Sequence, residues 1–117
     1  MPPTIQIFGV KNSNDTNKAL RFFKDRNIKI QFVDLNEKAL SKGELESISK
    51  KVPMEELLDK DGKQFKKRNL GYMVYKLEDE LLNDPLLLKM PVTRFGRDAA
   101  IGVTPNIWKK WIEESKK

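Results

Sequence analysis

Two stretches of the chain alternate apolar and polar residues with a period of two. Residues 4–10 read Thr-Ile-Gln-Ile-Phe-Gly-Val and residues 28–35 read Ile-Lys-Ile-Gln-Phe-Val-Asp-Leu. Such alternation, rich in β-branched and aromatic residues, predicts a strand in each. Between them lies the polar cluster Lys11, Asn12, Ser13, Asn14 and Asp15, and then a helical pattern with Ala19, Leu20, Phe22, Phe23 and Ile28 on one side. Short polar side chains satisfy the free amides of a first turn, so the helix is expected to start at Asp15 or Thr16 and to stop near Asn27. A strand, a helix of this length and a second strand form a βαβ unit with parallel strands.

From 41 to 89 the pattern is helical, an insertion between two strand-bearing halves. Ser41 precedes Glu44 by three positions, the spacing of a capping box, and Leu45, Ile48 and Val52 follow at helical intervals. Pro53 opens a short segment over 54–58, closed by the turn signal Asp59-Lys60-Asp61-Gly62. A further helix is predicted over about 75–83, with a turn from Pro85 to Lys89.

The last third returns to strands. Residues 91–95 and 99–103 form the arms of a hairpin around Gly96-Arg97-Asp98. Thr104-Pro105 then sets a helix N-cap with proline at the first helical position, and Ile107, Trp108, Trp111 and Ile112 share one face of the final helix. Tyr72 and Tyr75, like the tryptophans, are expected in the core. The order is β-α-β, helical insertion, β-β-α, which predicts a four-stranded mixed sheet in a single α/β domain spanning 1–117, the thioredoxin-like arrangement.

Composition narrows the chemistry. The 117 residues contain no cysteine and no histidine. Disulfides, a thiolate nucleophile, an imidazole base and the commonest zinc ligands are therefore excluded together. Lysine and arginine outnumber aspartate and glutamate 23 to 17, for a net charge of +6, but the lysines are dispersed and no base-stacking or groove-reading motif accompanies them, so nucleic acid is not the expected partner. The Glu78-Asp79-Glu80 run reads as the wet face of a helix rather than a metal site. No apolar run approaches the ~20 residues of a membrane helix. Met1-Pro2-Pro3 leads directly into the first strand without the features of a signal peptide. A cytoplasmic monomer without a bound cofactor is expected.

Residues 7–19, Ile-Phe-Gly-Val-Lys-Asn-Ser-Asn-Asp-Thr-Asn-Lys-Ala, resemble the strand-to-helix active-site segment of the arsenate-reductase-like (ArsC/Spx/YffB) group of the thioredoxin superfamily. Residues 32–35 resemble its second strand, 57–62 its insert motif, and 83–92 its approach to a proline that is usually cis. The resemblance implies that Ser13 stands where the group carries its nucleophilic cysteine. It implies an anion- or substrate-binding loop of Lys11, Asn12, Asn14, Asp15 and Thr16, and a groove beside Met90 and a cis Pro91. It also implies arginines around an oxyanion, where this chain has Asp59 and Asp61 in the insert motif and Met90 before the proline; Arg94 and Arg97 are the candidate substitutes. The implied activity is that of a thiol-dependent reductase acting on a small thiol or disulfide, with glutathione as co-substrate if a parent protein carries cysteine at 13, and inactive as written. The alternative is an Spx-like regulator that docks on a protein partner such as RNA polymerase.

Overall fold

The structure, a computed structural model, describes residues 4–116; the lead-in 1–3 lies outside the described residues. The chain runs β1 (Ile5–Gly9), α1 (Asn14–Asp25), β2 (Ile30–Asp34), α2 (Lys42–Ser49), α3 (Met54–Leu57), α4 (Lys63–Lys67), α5 (Leu77–Asn83), β3 (Val92–Phe95), β4 (Asp98–Ile101) and α6 (Pro105–Ser115). Short 3-10 turns at Leu70–Tyr72 and Pro85–Leu87 flank α5. The four strands form one mixed sheet in the order β2-β1-β3-β4. β1 and β2 are parallel, with Ile5 beside Ile30, whereas β3 runs antiparallel to both β1 and β4.

The period-two alternation of β1 sends its side chains to two separate cores. Ile5 and Ile7 join Ala19 and Phe23 of α1 and Trp108, Trp111 and Ile112 of α6. Phe8 and Val10 face the other way, into a cluster with Leu45 and Ile48 of α2, Leu57 of α3 and Leu81 of α5. The sheet is thus covered by α1 and α6 on one side and by the insertion helices on the other, and each fully buried Leu, Ile or Phe contributes about 1.5–3 kcal/mol of apolar burial.

Local signals set most of the boundaries. The end of α1 is a Schellman motif: Ile28 N–H donates to Phe23 C=O and Asn27 N–H to Lys24 C=O, both at 3.0 Å, with Asn27 at φ 55°. The Ser41–Glu44 capping box is formed in both directions, at 3.1 and 2.9 Å. The β3-β4 hairpin turns on Gly96 and Arg97, with the positive φ of 59° on Gly96 alone, the position where a two-residue type II′ turn requires it.

Five expectations are corrected. Helix α1 begins at Asn14, not at Asp15 or Thr16, because Ser13 is its N-cap. Helix α4 and the 3-10 turn after it were not foreseen; Phe65 is the sole apolar residue of α4, and the helix is held instead by polar ties to distant residues. Thr104 occupies the N-cap of α6, yet its hydroxyl makes no capping bond. Ile107 is 38% exposed and Tyr72 94% exposed. The buried stripe of α6 is Trp108, Trp111 and Ile112, spaced i, i+3, i+4, which leaves Ile107 at its edge.

Candidate functional site

The C-terminal end of β1 delivers the chain into a tight turn, closed by a bond from Ser13 N–H to Val10 C=O at 3.1 Å. Ser13 has extended backbone (φ −87°, ψ 120°), and its Oγ accepts from Thr16 N–H at 3.2 Å. Serine is among the best residues for this role because its oxygen replaces one of the four amide partners missing at a helix start. What fixes the start at 13 is Thr16, which is fully buried against the backbone of Gly9. A Cβ at Gly9 would lie 2.6 Å from Thr16 Cγ2, so only glycine admits so close an approach of helix to strand.

Beside this turn lies the start of β3. The Met90–Pro91 peptide is cis, as the resemblance implied. Among the described residues, Met90 exchanges no backbone hydrogen bond, while its neighbours are both engaged: Lys89 N–H with Leu57 C=O at 2.8 Å and Gly102 N–H with Pro91 C=O at 2.9 Å. The bond from Lys89, together with Asp59 N–H donating to Leu87 C=O at 2.8 Å and the isolated bridge between Leu58 and Leu88, ties the insertion to the segment before Pro91. Gly62 N–H donates to Asp59 C=O at 3.1 Å and closes the turn into α4.

These constraints enclose a cleft of about 410 Å³. Ser13 and Asp15 form one wall, Met90 another, Asp59, Gly62, Lys63 and Gln64 a third, and Val10, Leu86 and Leu88 supply apolar surface. The third wall is positioned from behind. Arg68 reaches Glu80 at 2.6 Å and Asp84 at 3.0 Å, and Gln64 donates to Asp84 at 2.6 Å. The hydrogen bond to Glu80, then that to Asp84, raises the Arg68 guanidinium further above its ordinary pKa. Glu80, read from sequence as part of a wet face, is thus a structural partner.

Of the residues expected at the site, Ser13, Asp15 and Met90 converge on the cleft. Lys11 and Asn12 are exposed in the turn before Ser13, where Asn17 Nδ2 donates to Lys11 C=O at 2.9 Å. Asn14 is exposed outside the cleft lining, and Thr16 packs beneath it in the core. Arg94 and Arg97 do not belong to the site. Because β3 is antiparallel to β1, the sheet carries Pro91 to the Ser13 end and Arg94, which is paired with Gln6, towards the opposite end. Arg94 binds Gln6 Oε1 at 3.3 Å and Ser47 Oγ at 3.1 Å, and Arg97 lies near Ser47, Lys50 and Lys51. Lys63 and Gln64 were missed, since they belong to a helix that the apolar pattern does not announce.

The cleft therefore presents two carboxylates and one ammonium, with no guanidinium. An oxyanion would meet repulsion from Asp15 and Asp59 with no bidentate arginine to offset it. Among the described residues, no side chain hydrogen-bonds Ser13 Oγ as a general base; its single partner is the Thr16 amide. The hydroxyl is accordingly a helix cap that accepts from the Thr16 amide, not an activated nucleophile.

A mixed four-stranded sheet covered by helices on both faces, with a cis proline just before β3, is the thioredoxin-like fold. Within that class the fold is the arsenate-reductase-related one. The structure superposes on a YFFB protein with a TM-score of 0.80 at 19% identity, covering 92% of this chain and 97% of that one. An arsenate reductase from Vibrio cholerae gives 0.78 at 16% identity, covering 94% and 98%. An arsenate reductase (ArsC) related protein from Brucella melitensis gives 0.66 at 24% identity, covering 94% and 95%. By sequence, no family model and no curated protein matches the chain.

Proposed function

We propose that this protein is related to thiol-dependent, glutathione-type reductases and is silent in thiol chemistry as written, its cleft fitted to a small thiol or disulfide rather than to arsenate. One observation carries the reading: Ser13 caps α1 in the lining of a cleft that Met90, next to a cis proline, also lines. A sulfur at position 13 would face the first-turn amides and the positive end of the α1 dipole, which favour a thiolate. The unpaired Met90 backbone suits an extended peptide such as glutathione. A reducing cytoplasm, which keeps thiols free, suits the same chemistry.

Ser13→Cys tests it. The variant's thiolate would attack one sulfur of glutathione disulfide, forming a mixed disulfide and releasing one glutathione thiolate. We expect its thiol to titrate below the ordinary value of about 8.5, with Asp15 and Asp59 limiting the shift, and to exchange faster than free cysteine at neutral pH. With the folded pKa depressed, its contribution to stability is fully present above the unfolded pKa, about 8.5, and is lost as pH falls through the folded value. A thiol that titrates near 8.5 and exchanges no faster than free cysteine sinks the reading.

The Spx-like alternative draws support from the net charge of +6 and from the fact that docking needs no thiol. Co-sedimentation with purified RNA polymerase at physiological salt tests it; failure to co-sediment removes it.

A further inference from the structure

Three consecutive apolar residues, Tyr72, Met73 and Val74, stand out from the surface at 94%, 55% and 103% exposure. An isolated exposed apolar residue is ordinary, but an exposed run of three is one that folded chains avoid unless something covers it. This run is not a slack loop. Tyr72 N–H donates to Asn69 C=O and Met73 N–H to Leu70 C=O, each at 3.1 Å. Leu70 before the run is buried, and Tyr75 after it packs against the core. The fold therefore holds the run outward.

Beside it lies a groove of about 510 Å³ lined by Phe65, Gly71 and Tyr72 together with Lys60, Lys66 and Asn69. Both charged groups in that lining are positive, and neither lysine forms an ion pair among the described residues. Lys63 and Lys67 of the same helix, α4, add to the local field. Apolar surface flanked by ammonium groups without an ion-pair partner complements a segment that carries carboxylates and a large apolar side chain. We infer that this surface is the docking site for an acidic peptide segment of a partner protein, with an aromatic or branched side chain seated against Phe65 and Tyr72 and carboxylates paired with Lys60 and Lys66.

Position makes this site separate from the Ser13 cleft while sharing a wall with it. Lys63 and Gln64 of α4 line the cleft, whereas Phe65 and Lys66 of the same helix line the groove. The occupant sits alongside the cleft and does not fill it, so the inference stands whether or not the thiol reading does.

The test titrates the isotope-labelled protein with a short synthetic peptide of alternating glutamates and phenylalanine or leucine, with amide shifts followed by NMR. A matched peptide with lysine in place of glutamate serves as control. The expected result is shift changes confined to about residues 60–75, weakened about tenfold or more by Tyr72→Ser with Val74→Ser and by Lys66→Glu, diminished by salt, and unchanged by Ser13→Cys. Because Tyr72 and Val74 are exposed, the double variant should keep its melting temperature, which separates loss of binding from loss of fold. Absence of shifts overturns the inference, as does equal binding of the lysine peptide. Concentration-dependent self-association through 72–74 would make a second copy the occupant, and stronger shifts with a single-stranded RNA oligonucleotide would make it nucleic acid. Either overturns it too.

Discussion

Thr93→Val should destabilise the protein far more than the loss of one surface hydroxyl would. Thr93 and Trp108 are both buried, and Trp108 Nε1–H donates to Thr93 Oγ1 at 3.2 Å. The Thr93 hydroxyl in turn donates to Ala100 C=O at 3.4 Å. Valine keeps the shape and the β-branch that suit a strand, so packing changes little. What it leaves behind is an indole N–H in an apolar core with no acceptor, at a cost of about 1–3 kcal/mol. At about 2.1 cal/mol/K of unfolding entropy per residue, a chain of 117 residues has about 0.25 kcal/mol/K, so the melting temperature should fall by roughly 4–12 °C. Thermal melts followed by circular dichroism measure this directly. The mechanism is isolated by repeating the change in a Trp108→Phe background, where no N–H remains to be orphaned and Thr93→Val should cost about 1–3 kcal/mol less. Equal costs in the two backgrounds, or a fall below about 2 °C in the parent, would refute the reasoning.

Two further changes probe the framework around the cleft. Gly9→Ala puts a methyl against Thr16 and should destabilise by about 1–3 kcal/mol through overpacking, read as a lower urea midpoint; a midpoint within error of the parent would show that α1 can slide away from β1 freely. Ser41→Ala removes one side of the α2 capping box and should cost about 1 kcal/mol, whereas Ser41→Asp should recover most of it in the same urea titration.

Much of the fold was legible because its determinants are local. The capping box at Ser41, the stop at Asn27 and the hairpin at Gly96 each depend on a few neighbouring residues with special backbone or side-chain requirements. The start of α1 was displaced by one or two residues because several members of the 11–15 cluster can cap a helix, and the choice is made by Thr16 burying against Gly9, a contact between elements. Helix α4 was invisible for the same kind of reason: Arg68 and Gln64 are held by Asp84, 16 and 20 positions away. At the site, Ser13 and Met90 were placed by motif, but Lys63 and Gln64 depended on that hidden helix. The expectation for Arg94 and Arg97 failed on strand direction, since nearness to Pro91 along the chain becomes distance from Ser13 once β3 runs antiparallel to β1.

The cap at position 13 bears on how such a site can change over time. Thiol chemistry of the kind proposed would want a sulfur there, whose charge the first turn can hold; a stable helix wants a short hydroxyl or carboxamide, which accepts the Thr16 amide without needing to ionise. These demands compete at one atom. A chain that keeps the serine has a helix start indifferent to pH near neutrality and immune to oxidation, while the cleft around it remains open. Placing a thiol at position 13 is a single substitution, but it exchanges a robust helix start for a conditional one.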